Sequence, residues 1–513
     1  MKQFLLSLLI IAIFSLESHA QSQHAICGMH GENLELQRQD AWEMQKRIRS
    51  QEDVRKVEET YFIPVKFHLV ADDNGEDRIL EHHVLQQLCW LNEAYADYDI
   101  QFYLKDGSFN YIDNSVIFDG PGTTGGEIRM NSFRDDSAMN IFLTDKADTG
   151  GGSIGTTLGF YSRNRDWVVI RNDQMTDGYN SVIGHEVGHF FSLLHPHNGW
   201  DSEPWEEARH GNPVSIQSIG GVEIECQDGS NCETAGDFLC DTPPDYNFGF
   251  GWPDCNFTSQ ITDPCGDIVA PMEINFMGYF LRCSDFSYIM TEEQSAQMIE
   301  NIESARRNYL DNNFMAGPDP GTAALLSPAA GSQLDRNENI GIDWEDVSNA
   351  TAYLLQVSRS NSFRDADIEV SELVTESYAV VDELQSNRFY HYRVIPISQN
   401  YTCPRYNELE IKQFRTGLGT FTTELESGFN LSLVDQVVQR GQKIQLQYKT
   451  DRQREINWQI YNANGSLVAQ NNALFGTTES IYSFHGESIH GAGIYFIKIQ
   501  SENNVRSFKI LVQ

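Results

Sequence analysis

The stretch SVIGHEVGHFFSLLH, residues 181–195, decides the fold of the first half of this chain. On a helix with about 3.6 residues per turn, His185 and His189 lie on one face, where two imidazoles can hold one metal ion. His195 cannot share that face, so we expect the helix to end before it and the chain to turn back. Three neutral imidazoles leave one tetrahedral zinc position open for water, and Glu186 is placed to accept the proton of that water. The stretch therefore predicts a catalytic zinc site for hydrolysis.

Strands and helices alternate around this helix, which predicts an α/β unit. YFIPVKFHLV (61–70) and WVVIRND (167–173) have the apolar, β-branched composition of strands, and ILEHHVLQQLCWLNEAYADY (79–98) has the pattern of an amphipathic helix. A last helix is expected to begin after Thr291, which can serve as its N-cap. We place the boundaries of this catalytic unit at residues 59–315.

Two all-β sandwich units are predicted after the linker AGPDPGT (316–322). Residues 323–415 contain short runs such as TAYLLQVSRS, in which every second side chain shares one face of a strand. Residues 416–513 contain NWQIYNANGSLV, where Asn464 and Gly465 are typical of a hairpin turn. The predicted fold is therefore α/β (α+β) followed by two all-β units.

The charge of the whole chain restricts its partners. The 513 residues include 36 Lys plus Arg and 73 Asp plus Glu, a formal net charge of −37. Such a surface repels phosphates, so binding to nucleic acid or to an anionic lipid surface is not expected. With 40% hydrophobic and 11% aromatic residues, the chain has the composition of a folded protein.

The N-terminal residues predict export. Residues 1–20 combine Lys2, an apolar run and small residues up to Ala20, the pattern of a secretory signal peptide cleaved after Ala20. No later stretch is long and apolar enough for a membrane span. Residues 21–58 are polar and helix-prone without an evident core, which indicates a pro-segment. We expect a secreted protein, extracellular or at the cell surface after export through the periplasm.

The nine cysteines fit an oxidising compartment. Six of them fall within residues 226–283, which predicts two or three disulfides in a loop-rich segment. An odd total leaves at least one thiol outside such pairs. Cys27 is the candidate for that thiol, although it could also pair with Cys89 or Cys403.

The catalytic unit resembles a known protein family. The extended zinc motif is similar to that of the metzincin metalloproteases, and further matches to the pappalysin family among them are IPVKFHLV (63–70), GDFLCDTP (236–243) and NFMGY (275–279). The resemblance covers roughly residues 58–312. It implies a two-part metzincin-like domain with a horizontal cleft and endopeptidase activity. It also implies a peptide bound antiparallel to an edge strand, which we expect to be WVVIRND.

The resemblance assigns roles to several more residues. Met277 would form an apolar base beneath the histidines, and Tyr279 would donate a hydrogen bond to the tetrahedral intermediate or serve only as a packing aromatic. Asp237 and Thr242 match positions that bind calcium in pappalysins, although an Asx-turn would explain them as well. Ser192 stands where metzincins usually have a glycine. Glycine is usual there because the turn toward the third histidine favours a positive φ.

Latency is a further expectation from the resemblance. Pro-segments in this family can carry a Cys-Gly pair whose thiolate takes the open zinc position, and AICGMH supplies Cys27 for this role. His24 or His30 could bind zinc instead. His197, like the pair at 82–83, has no partner at ligand spacing and is predicted to be solvated or hydrogen-bonded.

The two β units also resemble known domains. Residues 323–415, with Trp344 ahead of the strands, resemble a fibronectin type III domain. The closing residues GAGIYFIKIQSENNVRSFKILVQ (491–513) resemble the C-terminal sorting domain of type IX secretion cargo. The resemblance implies that the secretion machinery is a partner through this unit.

Three hypotheses follow for the whole chain. The leading one is a secreted, initially latent zinc endopeptidase that acts on extracellular protein or peptide substrates. The main alternative is a noncatalytic adhesin with a relic protease domain. A second alternative is a zinc amidase that acts on cell-wall peptides. The intact Glu186 argues against a relic. Leu281 and Arg282 stand where characterised pappalysins carry acidic residues, which favour a basic substrate side chain on the primed side of the scissile bond. A preference of this chain for such substrates is therefore in doubt. A chain ending near residue 315 is expected to cleave peptides.

Overall fold

The computed structural model describes residues 25–28, 31–50, 60–148, 156–176, 181–250, 252, 255–280, 283, 288–310, 314–334, 336–417, 429–434, 437–440, 442–462, 467–477, 480–484, 489, 491–501 and 504–512. The predicted signal peptide lies outside these residues, as do His24, His30, Leu281, Arg282 and the predicted hairpin turn at 464–465. None of the described helices is long and apolar enough to cross a membrane.

The first unit is an α/β fold around one sheet. The seven strands of this sheet are β1 Ala25–Cys27, β2 Tyr61–Ala71, β3 Ile100–Leu104, β4 Asn110–Asp113, β5 Met139–Thr144, β6 Thr156–Ser162 and β7 Trp167–Arg171. The unit also has a separate two-stranded sheet of β8 Ser218–Ile219 and β9 Val222–Glu223. Its helices are α1 Glu32–Ser50, α2 Glu81–Tyr95, α3 Ser115–Asp119, α4 Thr124–Met130, α5 Ser181–Phe190, α6 Glu207–His210 and α7 Glu292–Glu303.

The sheet runs in the order β1-β6-β7-β5-β2-β3. β4 lies on the same edge of β2 as β3 and pairs with residues 68–71 of β2, whereas β3 pairs with residues 61–65. Alternate residues of β2, such as Ile63 and Val65, are fully buried and join one core with α2 and α5. The strands therefore carry the helix of the zinc motif on one face of the sheet. The last helix, α7, begins after Thr291 in a capping box with Gln294, as the N-cap prediction requires.

The prediction that WVVIRND is the edge strand of the sheet is wrong. WVVIRND forms β7, which pairs with β5 on one side and with β6 on the other. The reason is that Thr156–Ser162 adds an antiparallel strand outside β7, joined to it by the turn at 163–166. The strand at the cleft side is β6, and β1 of the N-terminal segment pairs with it in parallel.

The second unit is a sandwich of a three-stranded and a five-stranded sheet. Its strands are β10 Leu325–Ser327, β11 Ser332–Gln333, β12 Glu338–Trp344, β13 Ala352–Ser358, β14 Ile368–Val374, β15 Tyr378–Glu383, β16 Phe389–Ile397 and β17 Lys412–Arg415. Tyr353, Leu355 and Val357 face its interior with Trp344.

The other face of β13 and β16 packs on the first unit. Ala352, Leu354, Ile395 and Ile397 belong to the same buried cluster as the strands of the first sheet. A disulfide between Cys89 of α2 and Cys403 crosses the same interface. These contacts change the expectation for a chain ending near residue 315, because part of its core would be missing.

The third unit is again a sandwich of three and five strands. The strands are β18 Phe429–Leu433, β19 Val437–Val438, β20 Gln445–Thr450, β21 Arg454–Asn462, β22 Leu467–Phe475, β23 Ser480–Ser483, β24 Gly493–Ser501 and β25 Asn504–Val512. It has a buried cluster of its own, which includes Trp458 and Ile497. The α/β and all-β parts of the predicted fold class are thus confirmed.

Three disulfides staple the loops that follow the zinc motif. They join Cys226 to Cys265, Cys232 to Cys240 and Cys255 to Cys283. With the Cys89–Cys403 bridge they account for eight of the nine cysteines, which excludes the alternative pairings of Cys27.

Candidate metal centre and cleft

The turn after α5 delivers the third histidine. Ser192 adopts φ 68°, the left-handed region in which metzincins usually carry glycine. Two α7 side chains hold this conformation: the Asn301 amide donates to Ser192 Oγ at 2.8 Å, and the Gln297 amide donates to the Ser192 carbonyl at 2.7 Å. Hydrogen bonds to a serine thus replace the freedom of a glycine at this position.

Three imidazoles converge on one point. The Nε2 atoms of His185, His189 and His195 lie 3.0–3.2 Å from one another. Each Nδ1 faces an acceptor: the Phe276 carbonyl at 2.7 Å, the Leu193 carbonyl at 2.8 Å and an Asp201 carboxylate oxygen at 2.6 Å, respectively.

These acceptors fix the tautomers of the three rings. Each Nδ1 carries the proton, so each neutral ring presents an Nε2 lone pair to the common point. Three lone pairs this close repel one another unless a cation lies between them. The donor set therefore fits a zinc ion with an outer shell that orients every ligand.

Burial keeps the histidines neutral. It lowers the pKa of His185 and of His189 well below the usual value, and neighbouring imidazoles add to the effect. Burial lowers the pKa of His195 to about 4. Burial acts to raise the pKa of Asp201, but the hydrogen bond with His195, together with the charge that this ring carries at low pH, brings it to about 2. Neutral imidazoles with an ionised outer carboxylate are the forms that bind a metal.

Cys27 approaches the three histidines and hydrogen-bonds to Glu186. Cys27 Sγ lies within 4.8 Å of one ring nitrogen of each histidine and donates to Glu186 Oε2 at 3.4 Å. Burial raises the pKa of Glu186 to about 8, against the opposing effect of the hydrogen bond from Cys27. Gly159 of β6 leaves room for this carboxylate, since a Cβ there would lie 3.1 Å from its Oε1 atom.

The NFMGY segment packs directly beneath α5. A Cβ on Gly184 would lie 2.6 Å from the Phe276 ring, and a Cβ on Gly188 would lie 2.3 Å from the sulfur of Met277. Both glycines of the helix are therefore required by this close approach. Met277 is fully buried, and its sulfur lies against Gly188 of the same helix that carries His185 and His189.

Tyr279 lies beside the histidines. Its ring centroid is 4.8 Å from that of His195 and 5.9 Å from that of His185. Its hydroxyl donates to the Cys27 carbonyl at 3.5 Å. Burial raises the pKa of Tyr279 well above its usual value, so the phenol keeps its proton and can serve as a donor.

The N-terminal segment covers this centre more closely than its polarity suggests. Cys27, Leu34 and Ala41 form a small buried cluster with Phe238 and Tyr279. The sequence of this segment shows no core of its own, because its few apolar side chains are buried against side chains from other parts of the chain.

Polar contacts from α1 reach the outer shell of the histidines. The Gln37 amide donates to the His189 carbonyl at 2.8 Å, and Gln37 is fully buried. Arg38 donates to Asn198 Oδ1 at 2.7 Å and lies 3.5 Å from the carboxylate of Asp201.

A second group of buried carboxylates lies in the loop after the zinc motif. The Thr242 hydroxyl donates to both oxygens of Asp237, at 2.9 and 3.0 Å. Burial raises the pKa of Asp237 to about 8, while burial and the charge of Asp237 raise the pKa of Glu225 to about 10. Glu225 Oε2 has no hydrogen-bond partner among the described residues. The sequence analysis missed Glu225, because it precedes the matching motif and no spacing connects it to Asp237.

Comparisons of the sequence identify the C-terminal unit. Residues 441–513 match the family described as the secretion system C-terminal sorting domain, so the sorting-domain prediction is confirmed. An extracellular metalloprotease of Neurospora crassa is 24% identical over 160 residues. The match covers 29% of this chain and 55% of that protein, so the chain spans about half the length of this curated relative.

Two solved structures illustrate the likeness of this chain to known folds. A promirolysin variant from Tannerella forsythia has a TM-score of 0.35 and 19% identity, over 55% of this chain and 96% of that one. The FN1–FN3 domains of chicken CNTN1 have a TM-score of 0.18 and 13% identity, over 39% of this chain and 70% of that one.

Proposed function

We propose that the protein is a secreted zinc endopeptidase of the pappalysin type, kept latent by its N-terminal segment. The observation that carries this proposal is the convergence of three Nε2 lone pairs beside the Cys27 thiol, which hydrogen-bonds to Glu186. The sorting domain and the extracellular relative support export to the cell surface or medium, with the secretion machinery as a partner. Protein or peptide substrates in that compartment follow from the class of reaction.

The chemistry divides between the metal and the chain. A zinc ion at the three histidines supplies Lewis acidity, which polarises the scissile carbonyl and lowers the pKa of water. Glu186 accepts the proton of the attacking water and passes it to the leaving amine. The Tyr279 hydroxyl donates to the oxygen that becomes negative in the transition state. His195 is held in its binding tautomer by Asp201.

The direction of β1 supports its inhibitory role. β1 runs parallel to β6, whereas a substrate is expected to run antiparallel to the edge strand. The segment therefore occupies the strand position with reversed polarity and brings a thiol rather than a peptide carbonyl to the histidines. A thiolate bonded to zinc would take the position that water needs.

The adhesin alternative requires a protease unit that has lost its chemistry. The described residues retain the three converging histidines and their Nδ1 acceptors, and Glu186 hydrogen-bonds to the Cys27 thiol beside them. A relic would have no reason to preserve the outer-shell hydrogen bonds. These contacts therefore favour a working enzyme.

We also propose a calcium site at Asp237, Thr242 and Glu225. Buried carboxylates that share one site are unfavourable together, and a hard cation with oxygen ligands would relieve this repulsion. The partnerless Glu225 oxygen is consistent with a ligand position. Calcium would then stabilise the loop without taking part in hydrolysis.

A metal-replacement experiment tests the proposed function. The protein, with its N-terminal segment removed, is stripped with a chelator and assayed on a peptide library and by thermal unfolding. We expect cleavage to vanish and to return with one equivalent of zinc, because the three histidines form one site. Calcium alone should raise the unfolding temperature without restoring cleavage. Cleavage that survives chelation would contradict a zinc enzyme, and an unfolding temperature indifferent to calcium would contradict the calcium site.

Substitution of Cys27 tests latency. We expect full-length Cys27→Ala to cleave a reporter peptide, or to process itself, earlier than wild type, because no thiol then competes for zinc. The matched control is Cys27→Ser, which keeps the size of the side chain but binds zinc poorly, and it should behave like the alanine variant. Equal latency in all three proteins would leave Cys27 with a structural role only.

A further inference from the structure

We propose that His197 is a positioning residue that holds the Tyr279 ring in place during catalysis. This inference rests on the proposed function, in which Tyr279 donates to the transition state. His197 carries no assigned role in the zinc motif, and its spacing to the other histidines does not suggest one. The tertiary structure places it between a zinc-binding ring and Tyr279.

The His197 ring contacts both of these neighbours. It is fully buried and stacks on His195, with centroids 4.5 Å apart and planes 10° from parallel. It meets Tyr279 at 4.3 Å and an interplanar angle of 61°, a closer approach than that of His195 to the same ring. Aromatic pairs at such distances and angles attract one another beyond the effect of buried area. His197 therefore fills the space beside the Tyr279 ring.

One loop supports His197 and Tyr279 together. Asp245 Oδ2 lies 3.8 Å from His197 Nδ1, and Asp245 Oδ1 accepts from the Phe248 amide at 2.9 Å. At the next residue, Gly249, a Cβ would lie 2.3 Å from the carbonyl carbon of Tyr279. The loop that borders His197 therefore also packs closely on the backbone of Tyr279. With the backbone held in this way, the His197 ring restricts the side-chain torsions of Tyr279.

The contact acts through the ring and not through its nitrogens. Neither Nδ1 nor Nε2 of His197 forms a hydrogen bond within the described residues. When the N-terminal segment leaves, Tyr279 loses its contact with the Cys27 carbonyl. The contacts of its ring with His195, His197 and His185 do not depend on that segment, and the contact with His197 is the shortest of the three. A displaced Tyr279 hydroxyl would be poorly placed to donate to the developing oxyanion. Its displacement would therefore lower kcat more than it weakens substrate binding.

The test compares His197 variants of the protein after removal of the N-terminal segment. We expect His197→Ala to lower kcat by about 10- to 100-fold with little change in KM, because a misplaced donor costs transition-state stabilisation. His197→Phe, which keeps the ring, should recover most of kcat. His197→Asn, which keeps polarity without the ring, should resemble His197→Ala and provides a second variant if the alanine protein folds poorly.

Two further measurements separate positioning from a general structural effect. In a Tyr279→Phe background, His197→Ala should cause no additional loss of kcat, since the two residues act as one unit. By calorimetry, a phosphinic peptide that mimics the tetrahedral intermediate should bind His197→Ala more weakly by about the same factor as kcat, while zinc affinity stays unchanged.

Several outcomes would overturn the proposal. They are a native kcat in His197→Ala, a His197→Phe protein as impaired as the alanine variant, or a full loss that persists in the Tyr279→Phe background. Loss of zinc in His197→Ala would assign the residue to ligand support instead. A wild-type protein that fails to show zinc-dependent cleavage would overturn the proposed function and this inference with it, whereas the outcomes above overturn the inference alone.

Discussion

Replacement of Glu186 by glutamine should abolish peptide cleavage while leaving zinc in place. The variant keeps the size of the side chain but removes the group that accepts the proton of the attacking water, and loss of a general base typically costs about 10²- to 10⁴-fold in rate. The three histidines keep their own acceptors, so zinc content should stay at one equivalent. The measurements are kcat/KM for a peptide and metal content, after the N-terminal segment has been removed by an added protease.

A buried carboxylate elsewhere provides the control for this substitution. Glu81 on α2 is buried and accepts hydrogen bonds from Tyr111 at 3.0 Å and from Ser371 at 2.5 Å, at the interface with the second unit. Glu81→Gln makes the same chemical change and should leave kcat/KM near the wild-type value, even if the free energy of unfolding changes. Cleavage by Glu186→Gln at the wild-type rate would show that another group is the base.

Truncation should divide the chain after the second unit and not before it. A protein ending at residue 417 keeps the core that the first two units share and the interior of the second unit. We expect it to cleave peptides like the full chain. A protein ending near residue 315 loses Cys403 and the buried residues of β13 and β16 that complete the first core. Loss of the disulfide alone costs about 2–5 kcal/mol, a large part of a typical total stability of about 5–15 kcal/mol. We therefore expect the shorter protein to be unfolded or aggregated.

Thermal unfolding, solubility and peptide cleavage of the two truncated proteins measure this difference. The full-length double variant Cys89→Ser, Cys403→Ser isolates the contribution of the disulfide from that of the apolar contacts. A protein ending at residue 315 that unfolds at the same temperature as the full chain would show that the interface is dispensable.

The sequence by itself determined what local periodicity and compact motifs encode. Helical spacing places His185 and His189 on one face, and the need for a turn before His195 follows from the same geometry. Alternating patterns separated the α/β unit from the two sandwiches, and the closing strand pattern was sufficient to recognise the sorting domain. All these signals lie within a few tens of residues, where backbone geometry relates position to direction.

The tertiary structure decided every feature that joins distant segments. Asp201 follows the zinc motif at no diagnostic spacing, yet its carboxylate orients His195. Ser192 tolerates the left-handed conformation because α7, more than 100 residues away, hydrogen-bonds to it. The place of β6 outside β7 was not evident, since strand order depends on which hairpin closes the sheet.

The interface between the first two units was hidden for the same kind of reason. The alternation of β13 predicts one buried face, but both of its faces are buried because the second face packs against another unit. His197 likewise has neighbours from distant parts of the chain, the Tyr279 ring and the Asp245 carboxylate. Spacing along a chain constrains neighbours within a helix or strand, whereas contacts between segments depend on the packing of the whole core, which no single stretch of sequence contains.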